Sequence, residues 1–393
     1  MIIKKLRVAN LRAFSKTTEF NFQPGMNLLV GANGVGKSTV LDAIRILLSK
    51  MLPDISDCKK YNLQIKDKDI TVGSDFATLE LLCSLEDRIL GYFINQPRDR
   101  SHNFGQFSGW TEPPGKNSYH GKNGQPYALY FSPSRSVIDE KKSTLSTSPV
   151  ETAFKYALKP RQLKTQELEK WLQEREALTA LDEPIWQTQW DILCDAVSSF
   201  LEMNCEISAG GLKKNGITLN LNQLSDGELG SLALVLELTK RLTAVNPELS
   251  NPARESEAIV LIDEIDLHLH PKWQRSIINK LIKTFPKCQF IATTHSPQVI
   301  GEVAHDRIQI ITPDEVYSPG HSYGVDSSRV LEEIMNTESR NADIKDLLSL
   351  LSQKIEDNDF TESRHLIEKL GQKIGQNDPE VIRNRTIIDF LEE

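Results

Sequence analysis

The stretch Gly31-Ala32-Asn33-Gly34-Val35-Gly36-Lys37-Ser38-Thr39 fits the pattern G-x-x-x-x-G-K-[ST], and it limits the fold more than any other feature of the chain. An apolar run, Met26–Val30, leads into it and an amphipathic one, Val40–Leu48, leads out. A strand before the loop and a helix after it are what the chemistry requires. The glycines let the backbone turn tightly, so that successive N–H groups point at one anion. The helix aims the positive end of its dipole at the same place. Lys37 is then expected to reach the β- and γ-phosphates of a nucleotide, and the Ser38 hydroxyl to ligate Mg2+. Asn33, Gly34, Gly36 and Thr39 are the remaining loop residues expected against the phosphates.

Strand-like runs before and after the loop are Ile2–Val8, Thr18–Phe22, Ala77–Ser84, Ile89–Ile94, Ala128–Phe131 and Ile217–Leu221. Gln96–Gln125 is rich in Gly, Pro, Asn, Ser and His and reads as a long irregular loop. His102, Asn103 and His120 within it have no Cys or acidic partners at ligand spacing and read as loop polar residues. Residues 151–203 become helical, with Trp171, Leu172, Trp186, Trp190 and Phe200 among the apolar positions, too short a stretch for a coiled-coil arm. Gly230–Leu242 is an apolar helix opened by Leu224-Ser225-Asp226-Gly227-Glu228. Ala258–Ile262 has the unbroken hydrophobicity of a central parallel strand and ends in Asp263-Glu264. A helix follows over 272–284, then a buried strand, Gln289–Thr293, ending at Thr294-His295-Ser296, and a last strand, Arg307–Ile311. From Ser327 the chain reads as helical throughout, with amphipathic stripes at Ile344, Leu347, Leu348, Leu351, Ile355 and at Leu366, Ile367, Leu370, Ile374. Asp357-Asn358-Asp359 reads as a capped turn between those helices.

The acidic and polar groups at the strand ends complete a hydrolysis site. Asp263 is placed to hold Mg2+, Glu264 to orient and polarise water, and His295 to hydrogen-bond the γ-phosphate and that water. Ser225 and the N–H groups opening its helix form a second anion site. These pieces, in this order, resemble an ABC-type ATPase head. The resemblance implies ATP and Mg2+ as cofactors, and a head-to-head homodimer in which Ser225 and Gly227 complete the partner's site and Asp266 lies at the seam. The opening Val8-Ala-Asn-Leu-Arg-Ala-Phe14 and the run Asp263-Glu-Ile-Asp-Leu-His-Leu-His-Pro271 resemble the RecF/SMC/OLD branch, in particular small prokaryotic ATPases of Septu-type and retron-associated (PtuA-like) defence systems. In that branch the first Arg, here Arg12, contacts the nucleotide. The expected fold class is α/β: a mixed sheet with a phosphate-loop core, a compact helical insertion and a helical C-terminal tail. The expected divisions are lobe I over 1–135, the insertion over 136–205, lobe II over 206–325 and the tail over 326–393. By the same match, His268 and His270 are packing and hydrogen-bonding residues. Gln96, Gln106 and Gln125 are all open as the Mg2+-sensing glutamine, and Arg135 as a nucleotide-facing or salt-bridged arginine.

Composition narrows the role. Of the 393 residues 39% are hydrophobic and 25% charged, as in ordinary soluble proteins, with no bilayer-length apolar run and no signal-peptide pattern, so a cytoplasmic protein without membrane contact is expected. Five scattered cysteines suit reduced thiols. The net charge of −8 speaks against coating nucleic acid, although residues 1–60 hold ten Lys/Arg against four Asp/Glu, so nucleic acid stays open as a partner. The expected function is an ATPase, dimeric or larger, that senses or gates a separate effector nuclease encoded nearby in anti-phage defence. The alternative is a DNA-repair or recombination ATPase of RecF/SMC type. A transporter ATPase is disfavoured by the N-terminal and Asp263-Glu264 features. A self-contained nuclease is disfavoured by a tail that offers no strands for an acidic metal site.

Overall fold

A computed structural model describes residues 1–59, 63–86, 88–99, 104–108 (backbone only), 124–133, 149–160, 165–181, 183–202, 206–208, 211–214 and 217–392. The chain divides into two compact units, 1–330 and 331–393.

In the first unit, β1 (Ile2–Ala9), β2 (Thr18–Asn21) and β3 (Met26–Val30) lead to the phosphate-loop motif, and α1 (Lys37–Ile55) leaves it. β4 (Phe76–Leu85), β5 (Arg88–Pro97), β6 (Phe104–Ser108) and β7 (Tyr127–Phe131) follow. Helix α1 continues past the expected Leu48 because Met51, Leu52 and Ile55 extend its buried face, with Pro53 accommodated in the last turn. β6 corrects the reading of 96–125 as wholly irregular: it pairs antiparallel with β5, Tyr92 opposite Phe107. A five-residue Phe-Gly-Gln-Phe-Ser strand has too little alternation to stand out before its partner is known. His102, Asn103, His120 and Arg135 lie outside the described residues.

The helices after β7 are α2 (Pro149–Phe154), α3 (Thr165–Thr179) and α4 (Pro184–Leu201), the last opened by Pro184 at its first position. Three short strands, β8 (Glu206–Ser208), β9 (Gly211–Lys214) and β10 (Ile217–Leu219), form a small antiparallel sheet. Then come α5 (Asp226–Val245), α6 (Pro252–Glu255), β11 (Ala258–Ile262), α7 (Pro271–Thr284), β12 (Gln289–Thr293), α8 (Pro297–Ile300), β13 (Ile308–Ile311), β14 (Val316–Tyr317) and α9 (Ser327–Arg329). Helix α4 packs on α5 and α7, so the helical segment lies within the first unit. Lys280 sits over the rings of Trp273 and Phe200, tying α7 to α4.

Two sheets frame the phosphate loop. One is antiparallel, in the order β2-β1-β4-β5-β6. The other runs β14-β13-β3-β12-β11-β7 and is parallel except for β14. Every residue of β3, β7, β11, β12 and β13 is buried, which is why these strands are mostly apolar, with Asn27, Gln289, Thr293 and Gln309 buried among them. In such a sheet, groups that act on a ligand collect beyond the carboxyl ends of the strands. Residue 31 after β3, Asp263 after β11 and Thr294 after β12 all lie there.

The second unit corrects two expectations. It is not helical throughout, since residues 335–341 are non-helical, and after a π-helical turn (Val330–Ile334) its described residues hold three α-helices where two stripes were read: α10 (Ala342–Glu356), α11 (Phe360–Ile374) and α12 (Pro379–Glu392). The stripes bury each other. Ile344, Leu351, Leu366, Ile367 and Leu370 form one core with Val381 and Ile388 of α12. Asp359 caps α11 by accepting the Glu362 N–H at 3.2 Å, as expected of the turn.

Candidate functional site

The phosphate loop is shaped by its neighbours as much as by its own glycines. Gly36 has φ +112°, and a Cβ there would lie 2.7 Å from the ring of Phe14, so only glycine fits beneath that ring. Phe14 is held by a tight turn in which Leu11 N–H donates to the Phe14 carbonyl at 3.1 Å. Within the same turn Arg12 has φ +49° and donates to Asp42 at 2.6 Å and to Asp69 at 3.0 Å. The expected phosphate-contacting arginine is therefore paired with two carboxylates here.

Lys37 is 7% exposed, and its Nζ donates to the carbonyls of Gly31 and Ala32, both at 2.8 Å. Burial pushes the ammonium below the usual lysine range, and Asp263, Glu264 and Asp266 partly offset that. A buried cation short of solvent is a ready partner for an anion.

The register of the parallel sheet assembles the acidic end. Ile262 lies opposite Ala292, so the next residues, Asp263 and Thr293, emerge side by side. The Thr293 hydroxyl donates to Asp263 Oδ1 at 2.6 Å and accepts the Glu264 N–H at 2.7 Å. The Ser38 hydroxyl donates to the same Asp263 oxygen at 3.2 Å. Ser38 and Asp263 thus converge as hard oxygen donors, the set Mg2+ prefers. Glu264 has φ +52°, an uncommon conformation for a residue with a Cβ, and it turns the chain sharply out of β11. Asp266, two residues on, accepts from the Thr294 hydroxyl at 2.6 Å.

His295 follows β12, half-buried. Burial, and next the charge of Lys37, hold its imidazolium below the usual histidine range, against the pull of Asp266, Glu264 and Asp263. The neutral ring is the form present at neutral pH. Ser225 caps α5: its hydroxyl accepts the Glu228 N–H at 3.4 Å and donates to the Glu228 carboxylate at 3.0 Å. Gly227 permits a close approach, since a Cβ there would lie 2.6 Å from the His268 carbonyl. Of the paired histidines, His270 caps α7 through Lys272 N–H at 3.3 Å, and no cluster of three or more His, Cys, Asp or Glu able to hold a metal occurs among the described residues. Gln125 is committed to the fold, accepting from Asp57 N–H at 3.0 Å and donating to the Val245 carbonyl at 3.1 Å. Gln96 is buried at the end of β5, and the side chain of Gln106 lies outside the described residues. Sequence reasoning missed Thr293 and Thr294, whose only signal is a Thr-Thr pair ending a buried strand.

Two families match this arrangement. Residues 1–107 match the "AAA ATPase domain", and residues 134–301 match the "AAA domain, putative AbiEii toxin, Type IV TA system". Over these residues the chain is similar to ATPase domains of both families. Among its relatives, the retron Ec83 probable ATPase of Escherichia coli is 37% identical over 208 residues, half of this chain and 38% of that protein. The chain therefore spans well under half of that relative. The Septu protein PtuA of Bacillus thuringiensis is 23% identical over 359 residues, 85% of this chain and 84% of that one. Among solved structures, the SMC head domain from Thermotoga maritima aligns with a TM-score of 0.47 and 16% identity, over 79% of this chain and 95% of that one. No helix among the described residues is long and apolar enough to cross a membrane.

Proposed function

We propose that this ATPase binds ATP with Mg2+ at the phosphate loop and hydrolyses it between two copies of the chain closed head to head. The observation that carries the reading is the convergence of Ser38 and Thr293 on one oxygen of Asp263, with Glu264 turned out beside them. Ser38 and Asp263 are the residues that would hold Mg2+, which neutralises phosphate charge when bound. The loop N–H groups and Lys37 bind and orient the triphosphate, Lys37 leaving the Gly31 and Ala32 carbonyls for phosphate oxygens. Glu264 accepts a proton from the attacking water, and neutral His295 fixes that water and the γ-phosphate by hydrogen bonds. Ser225 and Gly227 of the second copy close the site from the other side, with Asp266 at the seam.

The role proposed for this cycle is to hold a separate effector nuclease in check in anti-phage defence. The likeness to a retron ATPase and to a Septu protein supports it. Co-expression with the neighbouring genes, followed by purification and assays for ATP, DNA and RNA cleavage, tests it. The expected result is ATP hydrolysis by the chain alone, no nucleic-acid cleavage by the chain alone, and a co-purifying nuclease. Metal-dependent cleavage by the chain alone, lost in a variant outside the ATP site, overturns the gating reading.

A further inference from the structure

The residues flanking His295 hold two points of the loop that follows β11, Asp266 directly and Leu269 through Gln274. On one side, buried Thr294 donates from Oγ1 to Asp266 Oδ1 at 2.6 Å and accepts the Ser296 N–H at 3.0 Å. On the other side, the Ser296 hydroxyl donates to Gln274 Oε1 at 2.8 Å, and Gln274 Nε2 donates to the Leu269 carbonyl at 2.9 Å. The loop they hold, 264–269, turns through left-handed residues at Glu264 and His268. It is also the surface on which the first turn of α5 rests, through the close approach of Gly227 to the His268 carbonyl. A displacement at the end of β12 therefore has a direct polar path to Asp266, and through the loop to the start of α5.

We propose that Thr294 is a positioning residue for hydrolysis: its hydroxyl fixes the Asp266 carboxylate, and so sets the 264–269 loop relative to His295. The inference rests on the ATP-hydrolysis reading above. In this proposal Thr294 acts through Asp266, the carboxylate its hydroxyl holds. It differs in this from Thr293, whose hydroxyl serves Asp263 and the Glu264 backbone. The hydroxyl is the functional part, because it is the group that both donates to the carboxylate and accepts the Ser296 N–H. Valine at 294 keeps the shape and removes both bonds, whereas serine keeps both.

The test is steady-state ATP hydrolysis and ATP-binding calorimetry on the full chain, wild type beside Thr294→Val, Thr294→Ser, Asp266→Ala and the double variant Thr294→Val/Asp266→Ala. Thr294→Val is expected to lower kcat by about 10–100-fold with ATP affinity and KM within about twofold, the pattern of lost positioning. Thr294→Ser is expected to recover kcat to within about threefold. Adding Thr294→Val to Asp266→Ala is expected to change kcat by less than about twofold, because the residue it acts through is already gone. Wild-type kcat in Thr294→Val, equal loss in the serine variant, or additive losses in the double variant each overturn the proposal and leave the ATP-site reading standing. Should Thr294→Val not fold, the serine and Asp266→Ala variants decide: a serine variant as impaired as Asp266→Ala overturns it. Wild-type protein that binds no ATP overturns both readings.

Discussion

In the proposed reaction Lys37 and Glu264 divide the work of the site, and their variants separate binding from turnover. Lys37→Ala removes the buried cation nearest the phosphates, so ATP affinity measured by calorimetry is expected to fall by about 100-fold or more. Glu264→Gln keeps the shape and loses the proton acceptor, so affinity is expected to hold while kcat drops by about 100-fold or more. His295 gives the pH dependence. Its value in the folded chain lies below the ordinary histidine range, through burial first and Lys37 next. The unfolded chain then binds more protons in the window between the two values. The His295 contribution to stability is therefore fully present above the ordinary histidine value and is lost as pH falls through the folded one. Hydrolysis is expected to fall over the same acid window, and His295→Gln to lower kcat and flatten that limb of the pH–rate profile. Lys37, Ser38, Asp263, Glu264 and His295 were legible in the sequence because each is tied to a motif or a strand end. Thr293 and Thr294 were not, because their roles come from the parallel register that sets Ile262 against Ala292.

Helix α5 shows how an element is tied down away from the site. Arg241 and Glu237, 4% and 5% exposed, form a buried ion pair at 2.6 Å. Arg241 also donates to the Ala153 carbonyl at the end of α2 and to the hydroxyl of Tyr127 on β7. Burial alone would lower the guanidinium's pKa, but Glu237 and then Tyr127 outweigh it and the group stays charged. Burial also pushes the Tyr127 hydroxyl up to about 12, so it remains a neutral acceptor. Removing one partner strands the other charge, and Glu237→Leu is expected to destabilise the chain by about 3–5 kcal/mol in urea unfolding. The equivalent double change, Glu237→Leu with Arg241→Met, is expected to recover most of that loss. The largely apolar runs of the central strands announced β3, β11 and β12, whose few polar residues, Asn27, Gln289 and Thr293, are themselves buried. β6 stayed hidden, whereas α12 fell within the stretch read as helical but showed no stripe of its own. β6 is short and takes its identity from pairing with β5. α12 spends its apolar residues unevenly, burying Val381 and Ile388 while Phe390 is 77% exposed.

Charge is divided unequally between the two units. Residues 331–393 hold fifteen Asp/Glu against eight Lys/Arg, which accounts for nearly all of the net −8 and leaves residues 1–330 close to neutral. In the proposed head-to-head pair, a near-neutral unit 1–330 does not oppose its own pairing by charge, and nucleotide supplies the rest of the driving force. In a composite site each ATP touches Lys37 of one copy and Ser225 of the other, contacts available only to the pair, so binding and association reinforce each other. Glu264→Gln, which binds without turning over, is expected to sediment with ATP as a species twice the mass of the ATP-free protein. Ser225→Arg places a bulky side chain at the second anion site and is expected to remain at the smaller mass with ATP. Because Ser225 also caps α5 through Glu228, the arginine variant loses a cap worth about 1 kcal/mol whatever its effect on pairing. Ser225→Ala is the control: it loses the same cap without the bulk, and should pair with ATP more readily than Ser225→Arg. Equal sedimentation of Glu264→Gln and Ser225→Arg with ATP would show that the nucleotide is not shared between copies.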